Sequence, residues 1–262
     1  MMDYRFLIIW LFSPVLLAGE ALELVLPASK DDSHEYYHEV LVRSLAAQGI
    51  EVTVITPYSH VPQKRSVRLL ESEMLSMFWM IETPERDKQF TKVNVGLTNG
   101  LIGKRILLVP KQDRRRYSNV KNLADFKALG TIGGFGANWF DIQVWQANDL
   151  PYVVRDGEWR ALYSMLSTSG GINYFSRGVN EIIAEQRQYP YLAIEPHLLF
   201  IYQRDFVFYL NKQTAHLKPI LETALQEAKA SGLLDQIIDE YWGEHFRQLN
   251  LEQRLKLPLI TP

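Results

Sequence analysis

Leu22-Glu23-Leu24-Val25-Leu26 and, further on, Glu51-Val52-Thr53-Val54-Ile55-Thr56 are two apolar runs whose relation decides the fold class. Pro27 stops the first run, Ser33 is placed to cap a helix that continues to Gln48, and Gly49 ends that helix. Strand, helix and strand in about 35 residues is the length of a parallel crossover unit. Parallel sheets bind ligands at the carboxyl ends of their strands, so function is expected there.

Outward from this unit the alternation continues. Residues 65–73 read as a helix, 74–81 as a strand, and 103–109 as an apolar strand bounded by Pro110. The polar Lys111-Gln112-Asp113-Arg114-Arg115-Arg116 then marks a boundary and reads as a solvated turn; a new strand and helix series begins near Leu123. A second boundary falls near Glu195-Pro196, after which 197–210 reads as extended chain. Two amphipathic helices follow, 217–231 stopping at Gly232 and 233–242 ending at Gly243. The organisation is therefore α/β. Residues 22–110 and 197–262 form one discontinuous lobe, residues 111–196 form an inserted one, and the ligand cleft lies between them.

Composition narrows the function. The 262 residues, at roughly 150 per domain, fit two lobes. Hydrophobic residues make up 47% of the chain, enough for a buried core. Lys and Arg number 28 against 30 Asp and Glu, so the basic excess demanded by a phosphate backbone is absent and nucleic acid is not an expected partner. There is no cysteine, which excludes disulfides, thiolate catalysis, cysteine metal sites and a cysteine-linked lipid anchor. At the start, Arg5 precedes the apolar stretch 6–17, too short to span a bilayer comfortably, and the small-residue site Gly19-Glu20-Ala21 follows. Residues 1–21 thus read as a signal peptide and the mature chain as periplasmic, with an uncleaved N-terminal anchor as the alternative.

Three motifs carry a resemblance: Thr83-Pro84-Glu85-Arg86 after a strand, Leu123-Ala124-Asp125-Phe126 before a strand and a glycine-rich turn, and Ser231-Gly232-Leu233-Leu234-Asp235-Gln236-Ile237-Ile238-Asp239-Glu240-Tyr241-Trp242-Gly243. In this order they resemble the family 3 extracellular solute-binding proteins of polar-amino-acid ABC transporters. Gly134-Phe135-Gly136-Ala137-Asn138-Trp139-Phe140-Asp141 and Tyr174-Phe175-Ser176-Arg177-Gly178-Val179-Asn180-Glu181 look like a branch whose ligand is unassigned. The resemblance implies a two-lobed periplasmic binding fold of type II, each lobe a mostly parallel sheet flanked by helices. The implied protein is a monomer, without cofactor or metal, that closes on a small ligand and hands it to a membrane permease. The alternative is a sensor reporting to a membrane kinase or cyclase.

The resemblance also places the site. Arg86 and Thr83 stand where amino-acid binders clamp a ligand carboxylate, and a guanidinium presents the planar fork that such a group needs. Glu82 and Trp79 flank them. In the second lobe, Gly134, Phe135, Gly136, Asn138 and Trp139 form a glycine-rich turn and helix start suited to an anion or an aromatic stack. The aspartate that takes the ligand ammonium is replaced by Gly178, with Arg177 before it and Glu181 a turn along. Arg86 and Arg177 together suggest a ligand with carboxylates. The glycine and aspartate usual before the third strand are Glu73 and Ser76 here.

His34-Glu35-Tyr36-Tyr37-His38 matches the two-histidine zinc hydrolase pattern, but the third-ligand place is Ser44 and the glycine place is Leu41. It reads as ordinary helix-start sequence, with Asp31, Asp32, His34 and Tyr36 as candidates for the cleft rim. A dehydratase-like enzyme on the same fold would need a poised base such as Glu181, His34 or Glu82. No pair of residues announces that base, so the chain reads as a binding protein and not an enzyme.

Overall fold

A computed structural model describes residues 21–29, 34–59, 61, 63–137, 139–167 and 171–262. The expected signal peptide, apart from Ala21, lies outside the described residues, as do Asp31, Asp32, Ser33 and Asn138.

The crossover unit forms where the apolar spacing places it: β1 (Leu22–Ala28), α1 (Glu35–Ala46) and β2 (Val52–Ser59), with β1 and β2 parallel from Leu22 opposite Val52. Leu24 and Leu26 face the core, and α1 covers them with Tyr36, Tyr37, Val40, Leu41 and Leu45, the spacing of one helical face. Pro27 does not stop β1. It lies within the strand at a register shift between Val25 and Pro27, a place where a missing N–H costs no ladder bond. After α2 (Gln63–Glu71) the chain turns through Glu73, whose φ of 60° is the left-handed conformation usually given to glycine. Gln213 donates to the Glu73 carboxylate at 2.7 Å.

β3 (Met77–Ile81), α3 (Pro84–Gln89) and β4 (Thr91–Lys92) complete the first pass. The second half comprises β5 (Lys104–Pro110), α4 (Leu123–Ala128), β6 (Gly133–Gly136), α5 (Asp141–Ala147), β7 (Tyr152–Arg155), α6 (Ala161–Ser167), β8 (Tyr174–Gly178), α7 (Ile182–Gln188), β9 (Leu192–Ile194) and β10 (Leu198–Ile201). β11 (Phe206–Leu210), α8 (Lys218–Ala230), α9 (Leu233–Leu249) and β12 (Leu255–Pro258) close the chain.

The two halves share one plan. In the first, β2 and β1 lie beside the antiparallel trio β3-β11-β4, and Ser76 ties the pieces together: its N–H donates to Val25 O at 2.8 Å and its Oγ accepts from Val25 N at 2.9 Å. In the second, the order is β12-β10-β5-β8-β6-β7, with β9 on β5. β5 and β10 were expected with the first half, yet both hydrogen-bond into the second sheet. Sheet membership therefore puts the two chain crossings at 97–103 and 202–205.

These crossings are cross-linked. Asp205 accepts from the N–H and Oγ1 of Thr98 and from the N–H of Gly100, and Tyr202 N donates to Gly103 O at 3.0 Å. A third crossing was not foreseen. α9 runs on through Gly243 to Leu249, because burial of Leu249 and packing of Phe246 outweigh the roughly 1 kcal/mol that a helical glycine costs. The chain then turns at Asn250 (φ 50°) and β12 joins β10 in the second sheet. Buried Arg254 staples the turn, donating to Leu249 O, Glu195 O and Leu198 O.

Phe206 pairs with Ile81 and Arg105 with Gly178, so the crossings meet the halves at the carboxyl ends of β3 and β8. The carboxyl ends of β3 and β8 therefore both lie beside the crossings, and strand carboxyl ends are where α/β sheets bind ligands.

Candidate functional site

In the first half, the turn after β3 is built by Thr83 and Pro84. Thr83 is the N-cap of α3, its Oγ1 accepting from Arg86 N at 3.3 Å, and Pro84 takes the first helical position. This cap folds the Arg86 guanidinium back so that Nη1 donates to Ile81 O, leaving Nε and Nη2 without a partner among the described residues. Burial pulls the Arg86 pKa below the usual guanidinium range, against the opposing influence of Tyr209 and Glu85. Glu82 does not pair with Arg86; Lys92 holds it at 3.2 Å. Trp79 is buried, stacked on Tyr37 at 4.6 Å between centroids and met edge-on by His34 at 4.8 Å.

The second half differs from expectation at several positions. Arg177 is buried, and its Nε and Nη2 grip the Glu185 carboxylate at 2.5 to 2.9 Å while Nη2 also lies 3.3 Å from Glu181. Its guanidinium carbon sits 4.9 to 5.1 Å from the ring centroids of Phe175, Trp139 and Trp159. A cation so enclosed by two carboxylates and three rings is not a receptor for a ligand anion, and the pairing of Arg86 with Arg177 is corrected on that ground. Phe135 is corrected too: it is fully buried against Trp145 and Tyr152 in the core of the second half. Gly134 is buried beneath Ile172 and Leu162. Gly136 lies under the Trp139 ring, which a Cβ there would approach to 2.7 Å.

Gly178 has a comparable reason. A Cβ on it would meet Asn180 Oδ1 at 2.6 Å and Glu181 Oε2 at 2.8 Å, so the Glu181 carboxylate occupies the space over this strand end. Three donors converge on Glu181 Oε2: Gly178 N at 3.0 Å, Arg177 Nη2 at 3.3 Å and Arg105 Nη1 at 3.5 Å. Oε1 has no partner among the described residues, and the side chain is 34% exposed. Burial raises the Glu181 pKa, but Arg177, Arg105 and the Gly178 N–H outweigh it and hold the carboxyl below its ordinary range.

Sequence reasoning missed Arg105, Asp141, Tyr202 and Glu185. Buried Arg105 donates to Asp141 Oδ2 at 2.9 Å and to Tyr202 Oη at 3.1 Å, and Tyr202 in turn donates to Asp141 Oδ1 at 3.2 Å. A signal existed, since Arg105 directly precedes the apolar run Ile106-Leu107-Leu108-Val109 of its strand. Across the crossings, Tyr37 faces this group. Burial pushes its hydroxyl well above the usual phenol range, and the Glu181 charge in the other half adds to the effect.

Tyr36 is not a rim residue. It is buried, and its hydroxyl donates to Leu97 O at 2.5 Å. His34 Nδ1 and His38 Nε2 both contact Pro27 O, at 3.2 and 3.0 Å, which turns these edges of the rings toward a backbone carbonyl. Burial lowers the His38 pKa, and the bond to Pro27 opposes that shift. Ala28, Ser29, His34, Glu35, His38 and Thr56 line a cavity of about 190 Å³ at the carboxyl ends of β1 and β2. Among the described residues no three His, Asp or Glu side chains converge as a metal site.

With this geometry in view, the chain can be set beside known proteins. No family model matches the sequence, and no curated protein matches it. Solved structures do match in fold. A variant of the arginine-binding protein of T. maritima superposes with a TM-score of 0.56 at 17% identity, over 84% of this chain and 95% of that one. An amino acid ABC transporter substrate-binding protein of Streptococcus pneumoniae, bound to L-arginine, gives 0.59 at 20% identity over 85% and 95%. An ancestral arginine-binding protein bound to glutamine gives 0.58 at 16% identity over 84% and 98%. The chain therefore has the two-lobed periplasmic-binding-protein fold. Among the described residues, no helix is long and apolar enough to cross a membrane.

Proposed function

We propose that this chain is a periplasmic solute-binding protein that captures a small, carboxylate-bearing ligand of the amino-acid class between its halves and delivers it to an ABC-type permease. The observation that carries this reading is Arg86. It is held by a capped turn at the carboxyl end of β3 beside the crossings, and its Nε and Nη2 donors are left for a carboxylate. The partner for the other end of the ligand is Glu181 Oε1, an acceptor without a partner among the described residues, on a part-exposed side chain at the matching strand end of the second half. A cation from one half and a carboxylate from the other suit a zwitterion better than a dicarboxylate, which would need the second free cation that Arg177 does not provide. The ligands present in the structural neighbours, arginine and glutamine, agree with that chemistry.

Thermal unfolding against a panel of L-amino acids, dicarboxylates and short peptides tests the proposal. A ligand at 100 times its dissociation constant adds about 2.7 kcal/mol, which at roughly 2–4 °C per kcal/mol raises the Tm by about 5–11 °C. A shift with an amino acid supports the reading. A flat response across the panel, or a shift confined to dicarboxylates, rejects this assignment.

A further inference from the structure

The turn from Lys111 to Lys121 carries five cations and one acid in eleven residues, on a chain whose overall formal charge is −2. It is a built platform. Its backbone closes a chain of tight turns, with Arg114 N to Lys111 O, Arg116 N to Asp113 O, Ser118 N to Arg115 O and Val120 N to Tyr117 O. Tyr117 is fully buried against Phe126, and His197 Nε2 lies 2.8 Å from Val120 O. With these anchors inside, Lys111, Arg114, Arg115 and Lys121 are exposed, and none has a carboxylate within ion-pair distance among the described residues. Arg116 alone has one, Asp113 at 3.9 Å.

The platform lies at the end of β5 opposite Arg105, about 17 Å away at the rise of a strand, so its occupation leaves the cleft free. The same pole exposes two large apolar side chains. Tyr191 (43% exposed) precedes Leu192, the partner of Pro110, and Leu129 (37% exposed) follows α4. Guanidinium forks match phosphate oxygens, and a tyrosine and a leucine beside them suit the headgroup level of a bilayer. An acidic polypeptide would use the charges but not the apolar pair.

We infer that this pole of the second half is a docking surface for a membrane rich in anionic phospholipid, which holds the protein at the bilayer with its cleft open to solvent. The full chain is sedimented with vesicles of phosphatidylethanolamine containing about one quarter phosphatidylglycerol, and with vesicles of phosphatidylcholine alone. At roughly 1 kcal/mol per cation, binding to the anionic vesicles should exceed binding to the neutral ones by at least about tenfold. It should fall by a similar factor when salt rises from about 0.05 to 0.5 M. The double variant Arg114→Glu/Arg115→Glu should remove the anionic preference. Lys64→Glu/Arg68→Glu, an equal charge change on exposed positions of α2, should leave it within about twofold. Equal binding to both vesicles, an unchanged preference in Arg114→Glu/Arg115→Glu, or an equal loss in both variants would overturn the inference. So would binding of poly-glutamate at this turn without binding of vesicles.

Discussion

At the carboxyl end of β3, Arg86 touches one carbonyl of its own strand; at the corresponding end of β8, Arg177 is gripped by two carboxylates and boxed by three aromatic rings. The strands hold equivalent places in the two sheets, each beside an antiparallel strand contiguous with a crossing. Both turns present a guanidinium, yet one is held half-open by a capped turn and the other is consumed by the fold. The comparison teaches that a cation at a strand end is a receptor only when the fold leaves it short of partners. Charge alone does not distinguish the two.

The sharpest way to break this comparison is to remove each guanidinium in turn. Arg177→Met would strip the Glu185 carboxylate of its buried guanidinium and remove one of the cations beside Glu181, and should cost about 3–5 kcal/mol in urea unfolding. Arg86→Met removes one hydrogen bond and should cost about 1 kcal/mol. Equal losses would show that Arg86 is as structural as Arg177. Next in size is Gly178→Ala, whose Cβ would lie 2.6 Å from Asn180 Oδ1 and 2.8 Å from Glu181 Oε2. Displacing these groups should cost about 1–3 kcal/mol by the same assay.

Acid titration sharpens the account of Glu181. Its folded pKa lies below the ordinary value of 4.5, so the stability it contributes is present above that value and is lost as pH falls through the depressed one. Urea midpoints measured from about pH 6 to pH 3 should therefore decline less steeply in Glu181→Gln than in the native chain. An unchanged acid limb would mean that the Arg105 and Arg177 contacts do not favour the charged form.

Smaller effects probe the first half. Thr83→Ala should cost about 1 kcal/mol through the lost cap, with Thr83→Ser restoring most of it. Glu73→Gly should change stability by less than about 1 kcal/mol, since relief of the left-handed φ is offset by a freer unfolded chain and the lost bond from Gln213. A large loss there would give the Glu73 side chain a role beyond that bond.

Much of the fold was legible because it is written in local periodicity. The apolar pattern of 22–56 gave a strand, a helix and a strand. The lobe boundaries were less legible, because β5 and β10 look like any apolar run and only their partners in β8, β9 and β12 assign them to a sheet. The end of α9 was misplaced because a glycine stop is a local cost and the packing of Leu249 is not local. The site divided in the same way. The role proposed for Arg86 came from its motif, but nothing in the spacing of Arg177 told that Glu185 would reach it across the turn from β8 into α7. Phe135, beside glycines, resembled a cleft residue until its strand was seen to face Trp145.

The central claim is that Arg86 receives the ligand while Arg177 serves the fold, and the most direct measurement is the Tm of the native chain and of Arg86→Met across one panel of L-amino acids and dicarboxylates. The account predicts a rise of about 5–11 °C for the native chain with an amino acid, and no rise for an Arg86→Met protein whose own Tm lies within a few degrees of native. An undiminished ligand shift in Arg86→Met would contradict it.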